Sequence, residues 1–177
     1  MHVRDQLKSF EDEVLPHLDA AYNLARWLAG NEADAKDVTQ EACLRAFKFF
    51  GGYRGDNARG WLLTIVRNTF HTWLKKNRPA ETSLDLEGEA LALEDVSVDT
   101  NVLSLRAGDT EVVRKAIAAL PVEFREMVVL REMEGFSYKE IADMSDIPIG
   151  TVMSRLARAR QQLKTSLAAE FQSGGKS

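Results

Sequence analysis

The stretch SYKEIADMSDIPIGTVMSRLARAR, residues 137–160, decides the fold of the C-terminal part of this chain. Ser137 and Glu140 have the spacing of a capping box, in which side chains and backbone amides at a helix start satisfy one another. The pattern breaks at SDIP, residues 145–148, where polar residues turn the chain and a proline is tolerated in the first turn of a new helix. The stretch therefore predicts two short helices around a tight turn.

The second of these helices has an apolar side and a basic side. Its apolar residues recur at helical spacing and are Val152, Leu156, Ala159, Leu163 and Leu167. The side chains off this stripe, which we expect to be free, are Thr151, Ser154, Arg155, Arg158 and Gln162. A supporting helix followed by a basic helix is the arrangement that places a recognition helix in the major groove. A surface helical hairpin with a solvated basic face is the alternative; the agreement of turn, cap and charge favours DNA binding.

The charges of the chain are separated along its length. The 177 residues suffice for one domain or two small ones, and a net charge of −4 argues against a general nucleic-acid coat. Residues 51–79 contain six basic residues and one acid, whereas residues 80–105 contain seven acids and no basic residue. This distribution predicts a protein that meets nucleic acid at selected places.

The N-terminal part reads as successive helices without sustained strand alternation, so we expect an all-α fold. Pro16 predicts a kink or boundary, and Gly30-Asn31 predicts a helix end. Two further helices are predicted over residues 33–49 and 60–76. We predict two small helical domains joined by an acidic linker, with the three segments at residues 1–79, 80–108 and 109–177.

Several function classes find no support in the sequence. Cys43 is the only cysteine, so no internal disulfide can form and no oxidising compartment is indicated. The 3 histidines lie far apart, and we expect no metal and no cofactor. No stretch approaches the roughly 18 apolar residues of a membrane span, which favours a cytoplasmic protein. Without a nucleophile–base arrangement, an enzyme is the least favoured class.

The segment DAKDVTQEACLRAFKFF, residues 34–50, places a leucine among polar side chains. The helix face turned away from its apolar residues carries Asp34, Asp37, Gln40, Glu41 and Leu44. An apolar anchor with a polar rim suits a protein–protein contact. Because single exposed leucines are common, the spacing alone favours an ordinary amphipathic helix.

The segment FFGGYRGDNARGWLLTIVRNTFHTWLKKNRP, residues 49–79, combines a polar loop with a two-faced helix. The apolar face is predicted from Trp61, Leu62, Ile65, Val66, Thr69, Phe70 and Trp73. The opposite face carries Thr64, Arg67, Asn68, His71 and Lys75, and the loop carries Tyr53, Arg54, Asp56, Asn57 and Arg59. Such groups can stack on unpaired bases and bond their edges. A surface turn that caps a core helix is equally compatible with these residues.

Together these segments resemble the extracytoplasmic-function (ECF) group of sigma factors of bacterial RNA polymerase. The resemblance covers roughly residues 10–167, in the family's order. Residues 34–47 resemble the segment that binds the clamp helices of the polymerase's largest subunit. Residues 53–76 resemble the segment that reads and melts the minus-ten element, and residues 120–160 resemble the domain that reads the minus-35 element.

The resemblance implies a role for each matching set of side chains. Polymerase binding is expected from Asp34, Asp37, Gln40, Glu41 and Leu44, which reverses the preference given above. Minus-ten binding is expected from Tyr53, Arg54, Asp56, Asn57, Arg67, Asn68 and Lys75. Minus-35 binding is expected from Thr151, Ser154, Arg155 and Arg158. Met153 and Ala157 depart from the family pattern, so we expect modest direct base readout and larger contributions from phosphates and DNA shape.

The partners implied by the resemblance are core RNA polymerase, promoter DNA and an anti-sigma factor, in a stress or envelope response without a small-molecule substrate. The acidic linker would lie near the template strand or nascent RNA, or would be a solvated tether. The residues alone also allow a stand-alone repressor or activator that binds two symmetric half-sites. A helical adaptor with no nucleic-acid role is the third alternative.

Overall fold

The computed structural model describes residues 2–79 and 110–174, which form two compact helical units. No strand occurs in these two ranges, and the predicted all-α fold with two small helical domains is confirmed. The acidic linker predicted over residues 80–108 lies outside the described residues. The predicted domain boundaries therefore stay predictions.

The N-terminal unit is built from four α-helices within residues 2–79. They are α1 (Val3–Glu13), α2 (Leu18–Ala29), α3 (Glu32–Phe49) and α4 (Ala58–Asn77), with 3-10 turns at Leu15–His17 and Phe50–Gly52. Pro16 lies in the first of these turns, where its missing N–H leaves no helical hydrogen bond unmade. The predicted boundary at Pro16 is confirmed.

Two residues reverse the chain between α2 and α3. Gly30 has a φ of 85°, a left-handed conformation that glycine adopts without steric cost, and its N–H donates to the Arg26 carbonyl. The Asn31 side chain then accepts a hydrogen bond from the Asp34 backbone N–H at 2.9 Å. Because Asn31 is the N-cap, α3 begins at Glu32, one residue earlier than predicted.

The core of this unit lies between α2, α3 and α4. Leu24 and Leu28 of α2 are fully buried, as are Leu63 and Val66 of α4. The predicted apolar face of α4 is partly wrong, because Trp61, Ile65 and Trp73 are only half-buried, while the fully buried line includes Leu63 and Leu74. These two leucines are eleven residues apart, close to three helical turns, and so lie above one another.

The C-terminal unit contains four α-helices within residues 110–174. They are α5 (Thr110–Ala118), α6 (Val122–Val128), α7 (Tyr138–Ser145) and α8 (Ile149–Gly174), and a π turn, Val129–Met133, continues α6. A regular α-helix would continue with hydrogen bonds to the carbonyl four residues back. The Glu134 N–H instead donates to Val129 O, five residues back, which widens the last turn before Gly135 takes a left-handed φ of 75°.

The helix-turn-helix predicted from residues 137–160 is present as α7 and α8. Glu140 N–H donates to Ser137 Oγ at 3.1 Å, and Ser137 N–H donates to Glu140 Oε1 at 3.0 Å, which confirms the capping box. Asp146 ends α7 with a φ of 54°, and α8 begins directly after Pro148, whose carbonyl accepts from Thr151. The core stripe is also confirmed, because Val152, Leu156, Ala159, Leu163 and Leu167 are all buried.

Candidate nucleic-acid and protein-binding surfaces

The basic helix α8 carries the four residues expected to face DNA, and these residues differ in their burial. Thr151, Arg155 and Arg158 are half-buried at the edge of the helix. The guanidinium Nε of Arg155 has no access to solvent, so part of this half-buried side chain is enclosed by its neighbours. No acidic residue occurs on α8 before Glu170, which leaves the helix positively charged along most of its length.

Ser154 does not lie free on α8, and that expectation is wrong. Its side chain is only 6% exposed, and its hydroxyl donates to the Gly150 carbonyl at 3.0 Å. A helical serine commonly bonds back to the carbonyl four residues earlier, and this draws the hydroxyl onto the helix. The oxygen retains capacity to accept a hydrogen bond, and its DNA-binding role stays a prediction.

Arg160 has a structural position that the sequence did not reveal. Its guanidinium donates to Glu132 Oε1 at 2.6 Å, and the two side chains are 16% and 27% exposed. This pair fixes α8 to the π turn after α6. Arg131 in the same turn donates to the Phe136 carbonyl at 3.0 Å and lies over the Tyr138 ring, which connects α6 to the start of α7.

The loop before α4 is anchored by an aromatic cluster, defined as Phe10, Phe47, Phe50, Tyr53 and Trp61. The Tyr53 ring stacks on Phe50 at 5.6 Å between centroids and lies 5.1 Å from Trp61, while Phe50 lies 5.5 Å from Phe10. The sequence predicts Tyr53 in the polar loop and Trp61 on the apolar face of the helix; the repetition of aromatic residues around Gly51-Gly52 is the signal for the cluster. The cluster holds one half-buried ring where the polar loop begins.

Some polar residues of this loop are simply exposed, whereas another also stabilises the fold. Arg54 and Asp56 are exposed on either side of Gly55, which has a φ of 84°. Partial burial, with the nearby carboxylates of Glu13 and Asp56, raises the pKa of the Tyr53 phenol, so the phenol keeps its proton at neutral pH.

Asn57 differs from its neighbours in the loop because its side chain caps α4. Asn57 Oδ1 accepts from the Gly60 N–H at 2.9 Å, so this oxygen has a folding role at the same time as any binding role. The cap explains why α4 begins at Ala58, two residues earlier than predicted.

The outer face of α4 brings the predicted nucleic-acid residues together. Asn68 and Lys75 are exposed, and Arg67 and His71 are half-buried beside them. Arg67 Nη1 donates to Asn68 Oδ1 at 3.1 Å, which orients the Asn68 amide so that its NH₂ group points away from the guanidinium. An arginine that sets the direction of an amide forms a hydrogen-bonding unit suited to base edges and phosphates.

The outer face of α3 presents Leu44 with a polar rim. Leu44 is 62% exposed, and Asp37, Gln40 and Glu41 are exposed around it. Phe47, one turn further, is 37% exposed on this side of the aromatic cluster. The large exposed fraction of Leu44 is the property that a protein-contact anchor requires and that a core residue lacks.

Asp34 belongs to the folding framework of α3 as well as to its predicted contact face. Its carboxylate accepts from Arg78 Nη2 at 2.6 Å and from Asn31 Nδ2 at 2.7 Å. The Asn31 hydrogen bond and the Arg78 guanidinium lower the pKa of this carboxyl group. Arg78 also donates to the Ala29 carbonyl and stacks over Trp73, so it joins the ends of α2 and α4 to the start of α3.

Residues 2–79 and 110–174 lack two kinds of feature. No group of three or more His, Cys, Asp or Glu residues in these ranges is arranged to hold a metal ion. None of their helices combines the length and apolar character that crossing a membrane demands. Burial raises the pKa of the Cys43 thiol, so this cysteine is less reactive than an exposed one.

The fold and these surfaces define a two-unit helical protein with a basic helix-turn-helix in its second unit, and known families match both units. The sigma-70 region 2 family matches residues 14–80, and the sigma-70, region 4 family matches residues 110–163. The chain is 37% identical over 138 residues to the ECF RNA polymerase sigma-E factor of Escherichia coli, covering 73% of this chain and 72% of that protein. The chain belongs to the ECF family of RNA polymerase sigma factors.

Other relatives support the same family. The chain is 32% identical over 172 residues to the RNA polymerase sigma-H factor of Pseudomonas aeruginosa, covering 93% of this chain and 89% of that protein. It is 36% identical to the ECF RNA polymerase sigma factor SigE of Mycolicibacterium smegmatis, covering 92% of this chain but only 63% of that longer protein.

Two solved structures have a similar fold. The sigma factor RpoE of Bartonella quintana, crystallised with the anti-sigma factor NepR, has a TM-score of 0.68 and 29% identity, with 91% of this chain and 98% of that chain covered. CnrH, solved in complex with the cytosolic domain of CnrY, has a TM-score of 0.63 at 24% identity and supports the fold alone; 92% of this chain and 90% of that chain are covered.

Proposed function

We propose that this protein is a promoter-specificity subunit that performs no chemistry of its own. It binds core RNA polymerase, directs it to a two-part promoter and helps to open the duplex. The observation that carries this proposal is the presence of two outer surfaces of opposite charge on one chain. Leu44 with its acidic rim on α3 suits a protein partner, and the acid-free, arginine-bearing face of α8 suits DNA.

The polymerase contact is assigned to the face of α3 that surrounds Leu44. Leu44 is exposed to water and would be buried only by a partner. The surrounding Asp37, Gln40 and Glu41 provide a polar rim. Asp34 contributes to this surface mainly by fixing the start of α3 through Arg78. Family membership supports this assignment, because the matched region 2 spans the whole of α3.

Promoter opening is assigned to the Tyr53 loop and to the outer face of α4. The aromatic cluster holds the Tyr53 ring in place, which lowers the entropy lost when an unpaired base stacks there. Arg54, Asp56 and the Asn57 amide supply hydrogen bonds, and Asn68, oriented by Arg67, contacts the separated strand. Such contacts offset an unstacking cost of a few kcal/mol per base.

Upstream recognition is assigned to α8, with Thr151, Ser154, Arg155 and Arg158 at the DNA surface. Phosphate contacts by arginine make this binding salt-dependent. A matched region 4 over residues 110–163 supports the assignment. The proposed partners lie in the cytoplasm, which is where we expect the protein to act without a small-molecule substrate.

The decisive experiment is run-off transcription with purified core polymerase. We expect promoter-dependent transcripts only when this protein is added, and weak promoter binding by the protein alone. A stand-alone repressor would instead bind its operator tightly without polymerase, since two half-sites supply the affinity. Absence of any promoter-dependent transcript would contradict the proposal.

The role of α4 can be separated from polymerase binding. Replacing Asn68 with Ala removes an exposed amide without opening the core, so core-polymerase affinity should be unchanged. Promoter opening, followed by permanganate reactivity of unpaired thymines, should fall because the base-edge contact is lost. Equal losses in both measurements would show that Asn68 acts through folding or polymerase binding.

Regulation by an anti-sigma factor is part of the proposal. The structural neighbour from Bartonella quintana was crystallised with such a partner. The Leu44 face is the surface that such a protein would cover to block polymerase. Crosslinking at Leu44 in the native host, followed by co-purification, would test this. Recovery of core polymerase alone would contradict the binding of an inhibitor at this face.

A further inference from the structure

Helix α8 carries an apolar strip that its core does not use. Ile149 and Met153 are 49% and 44% exposed. They are four residues apart and lie beside the core stripe on the first turns of the helix. Ala157, half-buried, continues the strip by one more turn. We call Ile149, Met153 and Ala157 the apolar strip of α8.

The position of the strip on α8 is informative. Single exposed apolar residues are common and need no explanation. These residues, however, lie on the first turns of a recognition helix, which are the turns that contact base edges in the major groove. Around the helix, Ser154 lies between the strip and Arg158, so the strip borders a surface able to hold phosphates.

The chemistry of the strip selects one kind of base. A thioether and two alkyl groups cannot donate hydrogen bonds to guanine O6 or N7, the contact that a lysine or arginine makes. The apolar group on a base edge in the major groove is the C5-methyl of thymine. Methionine is flexible and polarizable, which allows its sulfur and terminal methyl to follow such a surface.

We infer that the apolar strip, led by Met153, makes this protein select thymine methyl groups within the upstream promoter element. This inference rests on the proposed function, because it requires α8 to enter the major groove. It adds a specificity-determining residue, Met153, to the positions assigned above. Burial of one methyl group corresponds to about a fourfold change in affinity, or about 0.8 kcal/mol.

The first test exchanges the chemistry at Met153. Holoenzyme containing the wild-type chain or the Met153→Lys variant selects from a DNA library randomised over the upstream element. We expect wild type to enrich thymine at one or two positions and the variant to change one of them to guanine, since lysine donates to guanine O6 and N7. Identical base preferences in both selections would overturn the inference.

The second test removes only the methyl group. Deoxyuridine replaces each selected thymine in turn, and holoenzyme affinity for the duplex is measured. Wild type should lose about fourfold at the contacted position, and Met153→Lys should lose nothing there. Unchanged wild-type affinity at every deoxyuridine position would overturn the inference, whereas restored affinity with 5-methylcytosine at that position would support it.

Two controls distinguish a failure of this inference from a failure of the proposed function. Arg158→Ala should weaken binding to all upstream sequences similarly, without changing the selected bases. The exposed position of Met153 means that the lysine variant should keep its unfolding temperature. If wild-type holoenzyme selects no promoter sequence at all, the proposed function fails and this inference fails with it; specific selection without methyl dependence overturns the inference alone.

Discussion

The outer faces of α3 and α8 are built on the same amphipathic plan but carry opposite charges. On α3 an exposed leucine is surrounded by carboxylates and an amide, whereas α8 carries arginines and no acid before Glu170. Each face also contains a predicted contact residue that the fold engages: Asp34 pairs with Arg78, and Ser154 donates to the Gly150 carbonyl. The buried side of each helix thus specifies folding, and under the proposed function the charge of the outer side specifies the kind of partner.

Reversing a charge on α8 should have the largest effect on this difference between the two faces. Arg158→Glu should reduce holoenzyme affinity for promoter DNA by about thirtyfold or more, or about 2 kcal/mol, because a phosphate contact is lost and a negative charge is placed near the DNA backbone. Fluorescence anisotropy with a labelled promoter duplex measures the effect.

The matched control for Arg158 is Lys164→Glu, an exposed lysine further along α8. It changes the net charge by the same amount but lies beyond the turns that enter the groove. We expect its effect to be severalfold smaller. Equal losses for the two variants would show that α8 acts through overall charge and not through a defined recognition surface.

The corresponding change on α3 is Leu44→Asp. Core-polymerase affinity should fall about tenfold, or about 1.4 kcal/mol, because an apolar anchor becomes a charge that the partner surface must desolvate. Surface-immobilised core polymerase provides the measurement. Leu18→Asp, at an exposed leucine of α2, is the control and should bind normally; unchanged affinity for the Leu44 variant would remove α3 from the polymerase interface.

Much of this contrast could be predicted from the sequence because helical periodicity and capping are local properties. The capping box at Ser137 and the core stripe of α8 depend on residues within a few turns of one another, and both are confirmed. The exposure of Leu44 followed from the same periodicity. Local patterns therefore identified the helices and the side of α3 and α8 that faces outward.

Contacts between elements distant in sequence could not be predicted in this way. The Asp34–Arg78 pair joins residues 44 positions apart, and the aromatic cluster joins Phe10 to Phe47 and Phe50. Only packing of α1, α3 and α4 brings these groups together. The burial of Ser154 could not be predicted for a different reason. Whether a serine hydroxyl bonds to solvent or to a carbonyl of its own helix depends on its rotamer.

Asn57 extends the comparison to the loop between α3 and α4, where a predicted base contact also caps a helix. Asn57→Ala should destabilise the N-terminal unit by about 1 kcal/mol because the Gly60 N–H loses its acceptor. Asn57→Asp keeps a capping oxygen, so its unfolding temperature should match wild type. Reduced promoter opening in the aspartate variant, without lost stability, would separate base recognition from capping; thermal unfolding and permanganate reactivity are the two measurements.

Asp34 offers the smallest and most selective test of the α3 face. The Asn31 hydrogen bond and the Arg78 guanidinium lower its pKa in the folded state, so these two contacts stabilise the protein at neutral pH. Their contribution is lost as pH falls through the folded-state pKa, below the ordinary value of 3.8. Asp34→Asn should therefore lower the free energy of unfolding at pH 7 by less than about 1 kcal/mol, since the side chains are 28% and 31% exposed. Urea titrations should show the difference from wild type disappearing in acid.

The matched variant Asp37→Asn reverses the expectation on the same helix. Asp37 is exposed, so stability at pH 7 should change little, while polymerase affinity falls slightly as one rim charge is removed. Asp34→Asn should affect stability more than affinity, and Asp37→Asn should affect affinity more than stability. If both carboxylates behave alike, the division of α3 between a residue that fixes the helix and residues that contact polymerase is wrong.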